Sequence, residues 1–358
     1  MPRGGAHFSS EELVRVLSHY DVGVIHQVKS LSGGNLRAPK MVVVSEQGKF
    51  LLKRRPRGKD DLYRVAFAHA VQTHLAAMSF PVTSLIATRS DGNTILQLNS
   101  HIYELFKFVS GTRYDGSPAA TTDAGRQLAD FHRHLADFAH EFKPLQASFH
   151  DSSTVRTHLR TIGLDRTAGH TGNSRLRAPG KAGLQAISEA LTVLYNESSI
   201  QVNQLGFDSW PKQVVHGDWH PGNMLFSKGK VAVVLDFDSI RVAPAVVDLA
   251  NGMLQFSIVG GRPNPADWPD YFDKDKLLLF LQGYKERAIN DTDLLDEYKL
   301  RALLDLMIET MIAEAVLPIA ATGFFGHLHG NDFLLMIRRK AEWLNNNRDK
   351  LKKLISSK

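Results

Sequence analysis

Apolar residues in the first 109 positions follow two different periods. Short β-branched or apolar runs at 22–31, 40–45 and 49–54 alternate with turn-rich segments, which is typical of a three-stranded meander. Residues 60–78 then have apolar side chains at helical spacing, and two more strand-like runs at 82–88 and 94–109 flank the turn Asp91-Gly92-Asn93. The pattern predicts a five-stranded antiparallel sheet with a helix inserted after its third strand. A capping box of Ser9 and Glu12 predicts a short helix ahead of the sheet.

Beyond a turn-rich segment at 110–118 the pattern becomes mainly helical. Residues 122–139 and most of 246–354 have apolar positions at helical spacing, and only 213–215 and 231–237 resemble buried strands. The segment 163–183 is rich in Gly, Arg and Ser, which predicts a loop. We therefore expect an α+β protein with an N-terminal lobe at 1–109, a linker at 110–118 and a helical C-terminal lobe at 119–358.

The composition excludes several classes of protein. The chain has 358 residues, enough for about two domains, and its 43% apolar and 22% charged content is that of an ordinary globular protein. It contains no cysteine, which excludes disulfides, thiolate zinc sites and cysteine nucleophiles. No apolar run approaches the roughly 20 residues of a membrane span, and the N-terminal segment is too polar for a signal peptide. These features predict a cytoplasmic protein.

The net charge of +6 is concentrated at one end of the chain. Residues 338–358 contain eight basic and two acidic residues, a surplus of six that equals the whole imbalance. Leu344, Leu351 and Leu354 lie at helical spacing in this segment, which favours a solvated terminal helix. Contact with an anionic membrane or a nucleic acid is the alternative. We expect no nucleic-acid partner, because the basic residues are not spread over a face with aromatic side chains.

Candidate chemistry is concentrated in VVHGDWHPGNMLF at 214–226 and VAVVLDFDS at 231–239. Asp218 follows the first strand-like run, Asn223 comes five residues later, and the second run ends at Asp236 and Asp238. If these runs are neighbouring strands, carboxylate and amide oxygens meet at their ends. Mg²⁺ is commonly held by one or two carboxylates together with phosphate oxygens. The sequence therefore predicts a magnesium–nucleotide site.

The combination H-G-D-x-H-x-x-N followed by D-F-D resembles the aminoglycoside phosphotransferase family. This family includes choline, homoserine and fructosamine kinases, and its fold is similar to that of protein kinases. Three further segments look like family features in the same order: LSGGNLRAPKMVVV like the phosphate-covering hairpin, FLLK at 50–53 like the lysine strand, and VVDLA at 246–250 like the segment that braces the catalytic loop. The resemblance implies a two-lobed kinase-like fold with a small antiparallel β-lobe and a larger helical lobe.

The resemblance also implies a reaction, transfer of the γ-phosphate of ATP to a hydroxyl or amine of a small molecule. The acceptor would be an aminoglycoside, an amino alcohol, homoserine or a sugar-like compound. Asp218 would be the catalytic base, Asn223 and Asp236 would hold Mg²⁺, and Lys53 would contact the α- and β-phosphates. The other implied positions are Gly33 and Gly34 near the phosphates, the backbone of Glu104, Leu105 and Phe106 near adenine, and His216 and Asp248 as structural braces.

One departure from the family pattern bears on whether the protein is active. The helix after the lysine strand has Ala68 where relatives have a glutamate that pairs with the lysine. We expect Asp60, Asp61 or the nucleotide phosphates to supply the counter-charge, with Lys53 becoming ordered only when nucleotide binds. The alternative is a nucleotide-binding pseudokinase or scaffold without turnover.

Acidic residues also suggest an acceptor site. Asp305 and Glu309 lie one helical turn apart, with Glu314 a little further on, and Asp238 follows the metal motif. Asp238, Asp305 and Glu309 are therefore candidate ligands for a cationic acceptor. For Asp305 and Glu309, an exposed charged helix face is the alternative.

Overall fold

The first part of the chain forms one antiparallel sheet. The computed structural model describes residues 7–31, 38–142, 147–164, 181–261, 263–289 and 291–356. The strands are β1 Ile25–Ser30, β2 Lys40–Ser45, β3 Gly48–Arg54, β4 Leu85–Ile86, β5 Leu96–Leu98, β6 His101–Lys107, β7 Gln213–Val215, β8 Met224–Ser227, β9 Lys230–Val234, β10 Arg241–Ala243, β11 Phe324–Phe325 and β12 Leu328–His329. The helices are α1 Ser10–Leu17, α2 Leu62–Ala77, α3 Pro118–His134, α4 Ser153–Leu164, α5 Lys181–Gln204, α6 Val246–Ser257, α7 Lys274–Arg287, α8 Glu297–Thr322, α9 Gly330–Asn346 and α10 Arg348–Ser356.

The sheet has one strand more than the five predicted. Its order is β1-β2-β3-β6-β4, and β5 also pairs with β6. The run 94–109 is divided at Asn99 and Ser100, whose φ angles of 48° and 61° are those of a tight hairpin turn. The predicted antiparallel pairing of the two runs is present, since β4 pairs with β6, but this turn also folds β5 onto β6 and so gives the additional strand.

The two faces of the sheet have different chemistry. Helix α1 begins at the predicted capping box and buries Val16 and Leu17 in a cluster with Leu52 and Leu105. Successive residues of a strand point to opposite faces, so Lys53 and Glu104, the neighbours of Leu52 and Leu105, do not belong to this apolar cluster. One face is thus an ordinary core, and polar side chains lie on the other.

Contacts divide the chain into two units whose limits differ from the predicted lobes. The first unit is Met1–Asp115, Arg133–Leu145 and Gly222–Ile240; the second is Gly116–His132, Gln146–Pro221 and Arg241–Lys358. The ribbon of β8 and β9 belongs to the first unit because its backbone is hydrogen-bonded to other residues of that unit. Phe226 and Thr112 exchange two hydrogen bonds of 2.8 Å, and Val234 N donates to Pro81 O at 2.7 Å.

The two strand-like runs predicted in the helical region are not neighbours. Strand β7 pairs with β10 in the second unit, whereas β9 pairs with β8 in the first. The prediction that the ends of these two runs meet is therefore not supported by the pairing of the strands. Residues 165–180, the centre of the predicted loop at 163–183, lie outside the described residues.

Helices α3 and α7 of the second unit approach each other closely at two glycines. A Cβ atom on Gly125 would lie 2.1 Å from Phe280 O, and one on Gly283 would lie 1.9 Å from Thr122 O. Within the described residues, no helix combines the length and the apolar character needed to cross a bilayer.

Gly125→Ala should destabilise the second unit. A methyl group at this position meets backbone atoms, which cannot move away as a flexible side chain can, and overpacking of this kind costs about 1–3 kcal/mol. Urea unfolding measures the loss, with Ala186→Ser on the exposed side of α5 as the control. Equal stability of the two variants would contradict the close helix contact.

Candidate active site

The β8–β9 ribbon brings Asn223 and Asp236 to the same end. Met224 pairs with Val234, and Leu235 N donates to Asn223 O at 2.8 Å. Asn223 is buried, whereas Asp236 is exposed between half-buried Leu235 and buried Phe237. Asp236 has φ 60° and ψ 71°, a left-handed conformation that is uncommon for a residue with a side chain and concentrates at functional sites.

These two residues fit a magnesium ion by their chemistry. An amide oxygen and a carboxylate at one end of a ribbon are hard oxygen donors, and Mg²⁺ usually takes few protein ligands and completes its shell with water and phosphate. Asn223 and Asp236 would hold the ion in this protein.

Lys53 has two acidic neighbours in the first unit. Its Nζ lies 3.3 Å from Asp238 Oδ1 and 3.8 Å from Glu104 Oε2. Arg55 joins the same acids, with Nη2 at 2.9 Å from Glu104 Oε1 and 3.0 Å from Asp238 Oδ1. The expectation that Lys53 lacks a counter-charge without nucleotide is therefore wrong. Asp238, predicted as a possible acceptor ligand, pairs with these cations instead.

Neither of the acids predicted to replace the helix glutamate has that role. Asp60 accepts a hydrogen bond from Gly58 N at 2.9 Å, and Asp61 caps α2 by accepting from Arg64 N at 3.0 Å. Ala68 is buried on α2. The negative charge that the helix lacks is supplied by Asp238 and by Glu104 on the adjacent strand.

Glu104, Leu105 and Phe106 lie in the interior of the sheet. β3 pairs with this part of β6 on one side, and β4 pairs with Leu105 and Phe106 on the other. The structure does not leave this backbone available to adenine, in contrast to the prediction, because the neighbouring strands occupy it. Gly33 and Gly34, predicted to lie near the phosphates, are outside the described residues.

In the second unit, Asp218 lies in the loop after β7, and the backbone of this loop is hydrogen-bonded to the buried side chain of Asp248. Asp248 accepts hydrogen bonds from His216 N at 2.6 Å and from Gly217 N at 2.9 Å. Its other neighbour is the buried ring of His132, with Nε2 at 3.4 Å. Burial by itself raises the pKa of Asp248, but the hydrogen bond and charge of His132 outweigh it, so that the pKa is lowered.

The side chain of Asp218 remains accessible while its backbone is held. It is 39% exposed, and His220 Nε2 lies 3.6 Å from Asp218 Oδ2. Gly217, which precedes it, has φ 76°, a conformation that glycine adopts without strain. The loop is therefore fixed at its base and presents a carboxylate at the surface of the unit.

Asp305 and Glu309 are both fully buried, so the exposed-face alternative is wrong. Asp305 pairs with Arg348 and, at 3.3 Å, with Lys352 Nζ. Glu309 accepts from His150 Nδ1 at 2.7 Å. Because their partners are internal, neither carboxylate is available to an acceptor. The basic C-terminal segment is also more than a solvated helix, since two of its cations neutralise a buried acid.

Glu314 is an acid near Asp218 that sequence reasoning did not select. It accepts from Asn251 Nδ2 at 2.7 Å and from Gln255 Nε2 at 2.6 Å. Burial, followed by the negative charge of Asp218, raises the pKa of Glu314 to about 7. The one-turn spacing of Asn251 and Gln255 on α6, directly after the VVDLA segment, is the signal in the sequence that points to it.

A model of the phosphotransferase enzyme family matches residues 27–289, most of the chain. The chain belongs to this family. The resemblance on which the predicted fold depended is confirmed. No curated protein is significantly similar to this phosphotransferase in sequence.

Solved structures share the fold of the phosphotransferase at low identity. An aminoglycoside phosphotransferase from Alicyclobacillus acidocaldarius has 16% identity and a TM-score of 0.68, over 100% of this chain and 99% of that one. The amicoumacin kinase hAmiN has 13% identity and a TM-score of 0.67, over 96% and 94%. A spectinomycin phosphotransferase has 16% identity and a TM-score of 0.61, over 98% and 99%. The predicted protein-kinase-like α+β fold is confirmed.

Arg348→Ala should destabilise the phosphotransferase by about 3 kcal/mol, because removal of one partner leaves the charge of buried Asp305 poorly compensated. Arg338→Ala is the matched control, since its one-turn pair with Glu342 is partly exposed to solvent and contributes less than about 1 kcal/mol. Urea unfolding measures both. Asp305→Asn should recover part of the loss in the Arg348→Ala background. Equal losses for Arg348→Ala and Arg338→Ala would mean that the Asp305 pair is unimportant.

Proposed function

We propose that the protein is a cytoplasmic kinase that transfers the γ-phosphoryl group of ATP to a hydroxyl or amine of a small molecule. The observation that carries the proposal is the position of buried Asn223 and exposed Asp236 at the same end of one ribbon, in a chain of the phosphotransferase family. Two structures of similar fold support a nucleotide and a divalent cation, since one holds AMP-PNP with Ca²⁺ and the other ADP with spectinomycin.

Each site residue then has a defined role. The acceptor oxygen or nitrogen attacks the γ-phosphorus, the bond from this phosphorus to the β–γ bridging oxygen breaks, and Asp218 takes the proton of the acceptor. Lys53 contacts the α- and β-phosphates. Asn223 and Asp236 would hold Mg²⁺, which would supply positive charge to neutralise the phosphates. Positioning and charge neutralisation supply most of the rate in phosphoryl transfer, so little covalent chemistry is required of the protein.

The ion pairs of Lys53 remove the main reason for the pseudokinase alternative. That alternative depended on Ala68, because a lysine without an acidic partner is poorly placed for phosphate. Here Lys53 lies within 4 Å of both Asp238 and Glu104. An active enzyme is therefore the function that the site supports best.

Asp218→Asn should remove most turnover while leaving Mg-ATP binding within a few-fold. Loss of a general base costs about 10²–10⁴ in rate, and an asparagine keeps the shape of the side chain. Turnover is measured with Mg-ATP against pooled aminoglycosides, amino alcohols and sugars, and binding is measured as the rise in melting temperature that Mg-ATP produces. A mutant with wild-type turnover would show that another residue accepts the proton.

We further propose that the acceptor carries a positive charge that Glu314 recognises. Glu314 replaces Asp305 and Glu309 in this role. Those two acids are bonded to a cation or a histidine, whereas Glu314 is bonded to two neutral amides, and its raised pKa depends in part on the charge of Asp218. Two amides already donate to Glu314, which fixes its orientation.

Binding of a cationic acceptor should strengthen as the pH rises through 7. Since the pKa of Glu314 is about 7, the carboxylate is mostly protonated at pH 6 and mostly ionised at pH 8. The dissociation constant of choline, whose charge does not titrate, should fall roughly tenfold over this range if choline is accepted. Glu314→Gln should remove the pH dependence, and a neutral polyol should not show it. A pH dependence that survives in Glu314→Gln would assign it to another group.

A further inference from the structure

We propose that Glu104, on the strand next to Lys53, is the positioning residue that sets Lys53 for the nucleotide phosphates. The inference rests on the proposed function, and it assigns to a strand glutamate the task that the resemblance assigns to a helix glutamate.

The register of the sheet fixes this pair. Lys53 and Glu104 are directly opposite each other in the antiparallel pairing of β3 and β6, so their side chains emerge on the same face. Lys40 is the partner of Lys53 on the other side, which puts two lysines and one acid in a single row across the sheet. Because the row is set by backbone hydrogen bonds, the sheet itself makes Lys53 and Glu104 neighbours on one face, and α2 contributes His69 to the same carboxylate.

The two oxygens of the Glu104 carboxylate have different surroundings. Oε1 is bonded to Arg55 Nη2 at 2.9 Å and to His69 Nε2 at 2.7 Å. Oε2 is buried and has no hydrogen-bond partner among the described residues, and Lys53 Nζ lies 3.8 Å from it. One oxygen is thus used to hold the carboxylate, and the other faces the lysine.

The histidine that is hydrogen-bonded to Glu104 is itself held in place by a threonine. His69 Nδ1 lies 2.8 Å from Thr94 Oγ1, which orients the ring from the side opposite Glu104. Since a carboxylate accepts hydrogen bonds, His69 donates through Nε2 to Glu104. Burial by itself raises the pKa of Glu104, but the His69 hydrogen bond and the charges of Lys53 and Arg55 outweigh it and lower the pKa to about 2. Glu104 is therefore ionised at any working pH.

Asp238 supplies the second contact of Lys53, but it is shared. Arg55 and Lys59 also lie within 4 Å of its carboxylate, at 3.0 and 3.8 Å. It follows the metal-ligand candidate Asp236 by two residues, so its surroundings are those that a bound metal–nucleotide would change most. Glu104 is fully buried on a central strand and is the contact that such binding leaves in place.

The proposal predicts that Glu104 and Lys53 act as a unit. Glu104→Gln should raise the KM for ATP and lower kcat/KM for ATP roughly 10- to 100-fold, while the KM for the acceptor stays within about twofold. Lys53→Met should have an effect of the same kind. The double variant should be no worse than Lys53→Met alone, because residues that work through one interaction are not additive. The same cycle is measured by the Mg-ATP melting shift, which needs no acceptor.

Two further variants separate positioning from stability. Glu12→Gln is the matched control: Glu12 is an acid of the same unit that is bonded to Arg54 at 2.6 Å and to Tyr103 at 2.8 Å, away from Lys53. It should lower the melting temperature but combine additively with Lys53→Met. Glu104→Asp keeps the buried charge and moves it away from Lys53. This variant should fold and show an intermediate rise in the KM for ATP, even if Glu104→Gln does not fold.

The possible outcomes distinguish the inference from the function. If wild type is active and Lys53→Met impairs it, but Glu104→Gln and Glu104→Asp keep a normal KM for ATP or combine additively with Lys53→Met, the positioning role is overturned and the kinase function stands. If wild type shows neither a Mg-ATP melting shift nor turnover, the proposed function fails, and the inference fails with it. Non-additivity in both turnover and melting shift supports the role of Glu104.

Discussion

The negative charge of Glu104 is the constraint around which the polar face of the first unit is arranged. A carboxylate that is fully buried is expensive unless it is paired and hydrogen-bonded, and here Arg55, His69 and Lys53 supply the partners. Since these partners come from β3, from the residue that follows it and from α2, the charge links the sheet to this helix. The lysine that the family motif assigns to phosphate is thereby held by the core of its own unit, even though α2 has only Ala68 where relatives have an acid.

The second unit also contains buried carboxylates that hold other segments in place, at Asp248 and at Glu309. Asp248 collects the backbone amides of His216 and Gly217, and these bonds fix the base of the loop that presents Asp218. Glu309, buried in α8, fixes the segment before α4 through His150. Burial lowers the pKa of His150, but the hydrogen bond to Glu309 outweighs it and the pKa is raised, so the pair is strengthened when the histidine is charged. Buried acids thus connect segments that are far apart in the chain.

Local patterns predict the elements well, and long-range pairing accounts for what they miss. β2 is found at the predicted residues because its alternation and its flanking turns are local, and the capping box of α1 is present for the same reason. The D-F-D and H-G-D motifs indicate the family. In contrast, the role of Glu104 depends on the register of β6 against β3, and this register cannot be read from the sequence of either strand alone. Asp305 and Glu309 look like an exposed face because their partners, Arg348 and His150, are 43 and 159 residues away.

The pairing of Asp305 has a consequence for the order in which the protein folds during synthesis. Its two cations follow it by 43 and 47 residues, so both are synthesised after α8 is complete. Until then, burial of α8 would leave Asp305 uncompensated, and burial raises the pKa of Asp305 even in the finished protein. The nascent helical unit therefore reaches its final packing only after α10 has emerged, and before that stage α8 is a segment that a chaperone would recognise by its exposed apolar surface.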